Sequence, residues 1–150
     1  MIIYHGSNKI VQKPKIIQDG YYKDFGYGFY CTRIEKQAMR WALTKGGQPI
    51  VNSYDYLPNN NLKVCVFPEM TDEWLDFIAN CRNGRSHDFD IVEGPMADDQ
   101  VWSHVNDYIE GKISREAFWK LVEFKYPTHQ ITFCTKAALE TITFGGSRKL

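Results

Sequence analysis

Short β-prone runs, each closed by glycine, asparagine or proline, alternate along this chain with amphipathic stretches of helical spacing. Ile2-Ile3-Tyr4-His5 stops at Gly6-Ser7-Asn8, and a loop with Pro14, Asp19 and Gly20 follows. The run from Asp24 to Thr32 carries two glycines into a short aromatic strand. Thr32 and Glu35 have capping-box spacing and predict a helix with Ile34, Ala38, Trp41 and Ala42 on one face, ended by Gly46-Gly47. Strands are expected at 50–56 and 62–67, joined by Pro58-Asn59-Asn60-Asn61. A helix from Thr71 turns Trp74, Leu75, Ile78 and Ala79 inward and stops at Asn83-Gly84. Residues 89–92 read as a strand closed by Gly94-Pro95. Two helices follow, near 98–110 and 114–124, divided by Gly111 and ended by Pro127. A strand at 130–134 and a short helix capped by Thr135, through Thr141, complete the assignment. Strands interrupted by helices make an α+β domain of mixed strands with flanking helices; the sheet order does not follow from this pattern.

The 150 residues fit one domain, 1–150, long enough to need neither disulfide nor metal to hold a core. Eighteen basic side chains balance eighteen acidic ones, so the basic excess of a protein that tracks nucleic-acid phosphates is missing. No run is long enough to span a bilayer, and Met1-Ile2-Ile3-Tyr4-His5 does not begin a secretion signal, so a cytoplasmic protein without a membrane is expected. Cys31, Cys65, Cys81 and Cys134 form no C-x-x-C pair and have no suitably spaced histidine, so they read as small buried residues and no metal site is expected.

Three pieces carry candidate chemistry: Tyr4-His5-Gly6-Ser7, Gly26-Tyr27-Gly28-Phe29-Tyr30-Cys31-Thr32, and Trp41, eleven residues past Tyr30 on the next helix. Each has an ordinary reading. A histidine at a strand end usually makes a structural hydrogen bond, the glycine-flanked aromatics suit a core strand with a bulge, and a helix tryptophan is usually core. A phosphate loop at Gly26-x-Gly28 fails, because a strand follows and not a helix N-terminus.

Together the pieces resemble the nucleotide-binding half of an ADP-ribosyltransferase of the diphtheria-toxin-like and poly(ADP-ribose)-polymerase-like branch. The toxins' first motif, Tyr-His-Gly-Thr, is matched by Tyr4-His5-Gly6-Ser7. Their second, Gly-Phe-Tyr-Ser-Thr or similar, is matched by Gly28-Phe29-Tyr30-Cys31-Thr32, and their second stacking aromatic by Trp41. The close match covers the first third of the chain. The whole chain resembles an uncharacterised bacterial family of that superfamily, on Tyr4 to Ser7, Asp24 to Thr32, Phe89 to Asp99 and Gln130 to Thr135. The resemblance implies an ADP-ribosyltransferase-like split mixed sheet, with NAD as the substrate and mono-ADP-ribosyl transfer to a macromolecular acceptor as the reaction. It also implies a toxin of a toxin–antitoxin pair, with an antitoxin protein as partner. Tyr30 and Trp41 would sandwich the nicotinamide and Gly6 would let backbone approach its carboxamide. His5 would bond a hydroxyl of the adenosine-side ribose, and Ser7 would assist at the nicotinamide ribose.

The branch commonly has a glutamate on a late strand, where this chain has Gln130. A carboxylate about 4–5 Å from a cationic ribose is worth about 3–4 kcal/mol at an effective dielectric near 20, on the order of a hundred- to a thousandfold in rate. Gln130 is the positional match and Glu93, at the end of the strand before Gly94-Pro95, is the reserve; Asp98 and Asp99 come next, against an N-cap reading. His87, His104 and His129 are weaker candidates. Lys23 and Arg33 could meet the pyrophosphate, against a solvated reading that the sequence favours. Two other readings stand beside the enzyme: a non-catalytic NAD- or nucleotide-binding module on the same fold, and an interaction protein whose aromatics only fill a core.

Overall fold

The computed structural model describes residues 1–18, 23–97, 99–122 and 128–150. Asp19, Gly20, Asp98, and the expected helix end at 124–127 lie outside the described residues. The elements run β1 (Ile2–Ser7), β2 (Phe29–Cys31), α1 (Glu35–Thr44), β3 (Ile50–Tyr56), β4 (Val64–Val66) and α2 (Asp72–Arg82). They continue with β5 (Ile91–Gly94), α3 (Asp99–Ile109), α4 (Arg115–Val122), β6 (Gln130–Phe133), α5 (Lys136–Leu139) and β7 (Ile142–Lys149). The chain is α+β, with its strands divided between two sheets. One is antiparallel in the order β1-β3-β7; the other, β2-β6-β5-β4, is mixed, since β4 runs parallel to β5.

Strand alternation builds two cores on opposite faces of the four-stranded sheet. Phe29, Cys31, Ile91, Ile131 and Phe133 meet Ile3, Tyr54, Tyr56 and Ile142 of the three-stranded sheet. Val92, on the other face, joins Trp74, Leu75 and Ile78 of α2, Val101 and Val105 of α3, and Phe118 of α4. Among the described residues no helix is long and apolar enough to cross a membrane. Between the two sheets an antiparallel bridge joins Tyr4 to Thr32, with Tyr4 N donating to Thr32 O at 2.8 Å and Thr32 N to Tyr4 O at 2.9 Å.

That bridge explains one departure from expectation. Thr32 is held extended, two residues ahead of the helix N-cap at Ile34, and its Oγ1 accepts from Ile34 N at 3.1 Å. No side chain caps α1, and Glu35 instead accepts from Arg148 at 2.7 Å. The buried stripe of α1 is Gln37, Ala38 and Ala42, while Ile34 is exposed. Thr71 and Thr135 do cap α2 and α5, accepting from Trp74 N and Ala138 N.

A second departure is β7, which lies beyond the short helix through Thr141 where the sequence assignment stops. The register of β7 on β3 steps from Ser53↔Gly146 to Tyr54↔Phe144, so Gly145 is the extra residue of a bulge and the strand continues through it. The expected strand at 62–67 shortens to β4 and joins the other sheet, and the strand expected at 89–92 lies two residues later as β5.

Candidate functional site

A cleft of about 250 Å³ opens where the two sheets meet. Six of the residues singled out from the sequence line it: His5 and Gly6 from β1, Lys23 ahead of β2, Tyr30 from β2, Trp41 from α1 and Gln130 from β6. Ser7 and Glu93 are not among its lining residues.

Gly6 is where α1 presses on β1. A Cβ built there would lie 2.0 Å from the Ala38 carbonyl oxygen, 2.7 Å from Ala42 N and 2.9 Å from Trp41 Cβ. Only glycine admits this contact, which fixes where Trp41 stands. Gly6→Ala is expected to cost about 1–3 kcal/mol, because the obstructing atoms are helix backbone, and to shift the Trp41 fluorescence spectrum. A thermal melt within a degree of wild type would overturn this. Gly28 shows the same constraint just ahead of β2, where a Cβ would meet Thr132 Cγ2 at 2.6 Å and the Phe133 carbonyl oxygen at 2.8 Å.

His5 stacks against Phe29 with ring centroids 4.3 Å apart, and its Nδ1 lies 2.6 Å from the Tyr30 carbonyl oxygen. A carbonyl only accepts, so Nδ1 carries the proton and Nε2 keeps a lone pair. Burial brings the His5 pKa down to about 4, against the Tyr30 carbonyl, which favours the charged ring; the charges of Lys45 and Lys23 lower it further. Tyr30 is anchored at its far end, its hydroxyl donating to Gly26 O at 2.6 Å and accepting from Phe25 N at 3.1 Å. Burial, then the negative charge of Asp24, raises its phenol well above the ordinary value, so the ring serves as a surface and not as an acid. Lys23 Nζ sits 5.3 Å from the centre of that ring.

Gln130 is buried, and its Nε2 donates to Asp24 Oδ2 at 3.1 Å. Asp24 Oδ2 also accepts from Ala97 N at 2.9 Å, and Asp24 Oδ1 pairs with Arg82 Nε at 3.0 Å and with the adjacent guanidinium nitrogen. Arg82 lies under the exposed ring of Trp102, 4.4 Å from its centre, and one terminal nitrogen is buried without a hydrogen-bond partner among the described residues. Asp24, Arg82, Lys45 and Trp102 all line the cleft, and sequence reasoning assigned none of them a role. The signal for Asp24 lay in its place at the head of the aromatic strand; Arg82, at the end of α2, gave none. Lys23, Lys45 and Arg82 against Asp24 leave the described lining with two positive charges in excess, which suits an anionic ligand.

Glu93 stands on the other face of the sheet. It pairs with Ile131 in the register, shares the side of Ile91, and accepts from Arg33 Nε at 2.6 Å and from His129 Nε2 at 2.9 Å. Burial opposes its charge, but the His129 and Arg33 hydrogen bonds outweigh it and hold the carboxyl down to about 2. Arg33 and His129 are thus engaged with Glu93, and neither lines the cleft. Gln37 joins α1 to the start of β6: its amide nitrogen bonds the His129 carbonyl, and its Oε1 accepts from His129 N at 3.1 Å. His87 is used at both nitrogens, by Phe25 O at 3.0 Å and Phe89 N at 3.1 Å. Burial pushes the Cys81 and Cys134 thiols up to about 12, away from thiolate chemistry.

Neither the curated proteins nor the solved structures contain a match to this chain. The model of the family described as "Protein of unknown function (DUF3990)" matches residues 1–144, and the chain belongs to that family.

Proposed function

We propose that the cleft binds NAD and that the protein transfers its ADP-ribose to a macromolecular acceptor, as a bacterial toxin held in check by an antitoxin. The observation that carries the binding reading is convergence: His5, Gly6, Tyr30, Trp41 and Gln130, read from separate stretches of sequence, line one cleft. The toxin role and the antitoxin partner rest on the family resemblance alone.

Each group has a task that its geometry suits. Tyr30 and Trp41 offer two aromatic surfaces for the nicotinamide, whose positive ring an indole or phenol face attracts by about 0.5–2 kcal/mol. His5 presents an unprotonated Nε2, the acceptor that a ribose hydroxyl needs. Lys23 and Lys45 supply the cationic excess for a pyrophosphate. Cleavage breaks the bond between the ribose and the nicotinamide nitrogen; the electron pair leaves with nicotinamide, and the acceptor's nucleophile bonds the anomeric carbon and loses its proton.

A second reading, NAD binding without turnover, is favoured by the uncharged Gln130. Nicotinamide release from NAD, followed alongside calorimetric binding, separates the two. Wild type is expected to release nicotinamide, and His5→Ala and Tyr30→Ala each to lower the rate by about a hundredfold. Binding without release would favour the binding module. Neither binding nor release by a folded protein would remove NAD from the account.

A further inference from the structure

Gln130 does not meet the cleft alone. Its amide nitrogen faces Asp24 Oδ2 at 3.1 Å and the Pro95 carbonyl oxygen at 3.5 Å. The Pro95 carbonyl only accepts, and so does the Asp24 carboxylate paired with Arg82, so the amide NH2 must stay on that side and the carbonyl Oε1 must point away from them. Asp24 is itself immobilised, by Arg82 and by the Ala97 N–H at 2.9 Å. We infer that Asp24 is the positioning residue of the reaction proposed above: it locks the Gln130 amide so that Oε1 is presented to the nicotinamide-side ribose, and it is the reason that position 130 is glutamine and not glutamate. The inference rests on the NAD reading of the cleft.

Arg82 neutralises much of the Asp24 charge, so the contribution to Gln130 is orientation and polarisation of its carbonyl, not a full negative charge. As the glycosidic bond breaks, that carbonyl accepts from the ribose 2′-hydroxyl and faces the positive charge that grows on the sugar. A glutamate at 130 would put a second carboxylate where the amide nitrogen now donates to Asp24. Two carboxylates that close cannot both ionise, so one would hold a proton or swing out of place. Restoring the glutamate expected in ADP-ribosyltransferases therefore damages this site.

The test is steady-state nicotinamide release from NAD, with water as acceptor, by wild type, Gln130→Glu, Asp24→Asn and the exchange variant D24N/Q130E. Gln130→Glu is expected to lower kcat by about tenfold or more while KM for NAD stays within about threefold, because Tyr30 and Trp41 are untouched. Asp24→Asn is expected to lower kcat as well. The exchange variant again pairs one carboxylate with one amide and is expected to run at least about tenfold faster than Gln130→Glu. A Gln130→Glu enzyme faster than wild type overturns the inference. So does an exchange variant no faster than Gln130→Glu, when circular dichroism shows both folded. If the exchange variant does not fold, Gln130→Glu decides alone, since it leaves Asp24, Arg82 and Ala97 in place. NAD binding without release by wild type overturns this inference and leaves the binding module; neither binding nor release removes the NAD reading as well.

Discussion

Arg82→Met will lower the free energy of unfolding by about 3–5 kcal/mol, the usual cost of stranding one member of a buried ion pair. Both side chains are almost closed to solvent, with 5 % of the Arg82 side chain and 8 % of the Asp24 side chain exposed. In wild type the Asp24 carboxylate accepts from Arg82, from Ala97 N at 2.9 Å and from Gln130 Nε2 at 3.1 Å. Without the guanidinium only the two neutral donors remain, and they do not offset the cost of taking a carboxylate out of water. Methionine keeps the stem volume against Trp102, so the loss reports charge and hydrogen bonding more than packing. The measurement is a urea midpoint with the slope compared to wild type. Arg82→Lys should fall between the two, because it keeps the charge but loses the fork that meets Asp24 through two nitrogens. A loss below about 1 kcal/mol for Arg82→Met would mean that water entering from the cleft solvates Asp24, and the ion pair would then be dispensable to the fold.

The same pair marks where the site stopped being legible in the sequence. His5, Gly6, Tyr30 and Trp41 are legible only together: each has an ordinary structural reading, and the order and spacing of the three pieces set them apart. Gln130 was found by its strand. Asp24 has only its place at the head of the aromatic strand and Arg82 no mark at all; they are 58 positions apart and meet because α2 ends beside the loop that leads into β2. Either alone is an ordinary surface residue. Glu93 shows the opposite failure, a residue of suitable chemistry on the wrong face. With a strand ending at 92 a carboxylate at 93 can turn into a cleft, whereas β5 runs Ile91–Gly94 and its alternation sends Glu93 to the side of Ile91. One residue of parity decides the face, and β-propensity does not report parity. The α+β class was readable because turn residues punctuate every segment. The division into two sheets was expected only from the resemblance, as a split mixed sheet; the residue pattern leaves the sheet order open, because pairing between strands far apart in sequence decides it.

Between pH 6.5 and pH 4 the protein will lose about 3 kcal/mol of stability through His5 alone. Burial holds the folded ring's pKa at about 4, against 6.5 for the free side chain. Over that interval the unfolded chain takes up a proton that the folded chain refuses, so stability rises with pH from 4 to 6.5, at up to about 1.4 kcal/mol per pH unit, and is flat above. Glu93 acts in a lower window. Its folded pKa of about 2 against 4.5 keeps its stabilisation whole above 4.5 and removes it as pH falls toward 2. The stretch from 4.5 to 6.5 therefore isolates the histidine when wild type is compared with His5→Gln, which can still donate to the Tyr30 carbonyl but does not titrate. Their unfolding free energies, measured by urea at half-unit steps, should converge as pH falls through this window. Parallel curves would mean that His5 reaches solvent and titrates near its ordinary value. NAD affinity gives a second reading of the same group. An Nε2 that stays unprotonated to pH 5 remains a hydroxyl acceptor, so NAD affinity should be level from pH 8 to 5, where an ordinary histidine would be half protonated at 6.5 and almost fully so at 5.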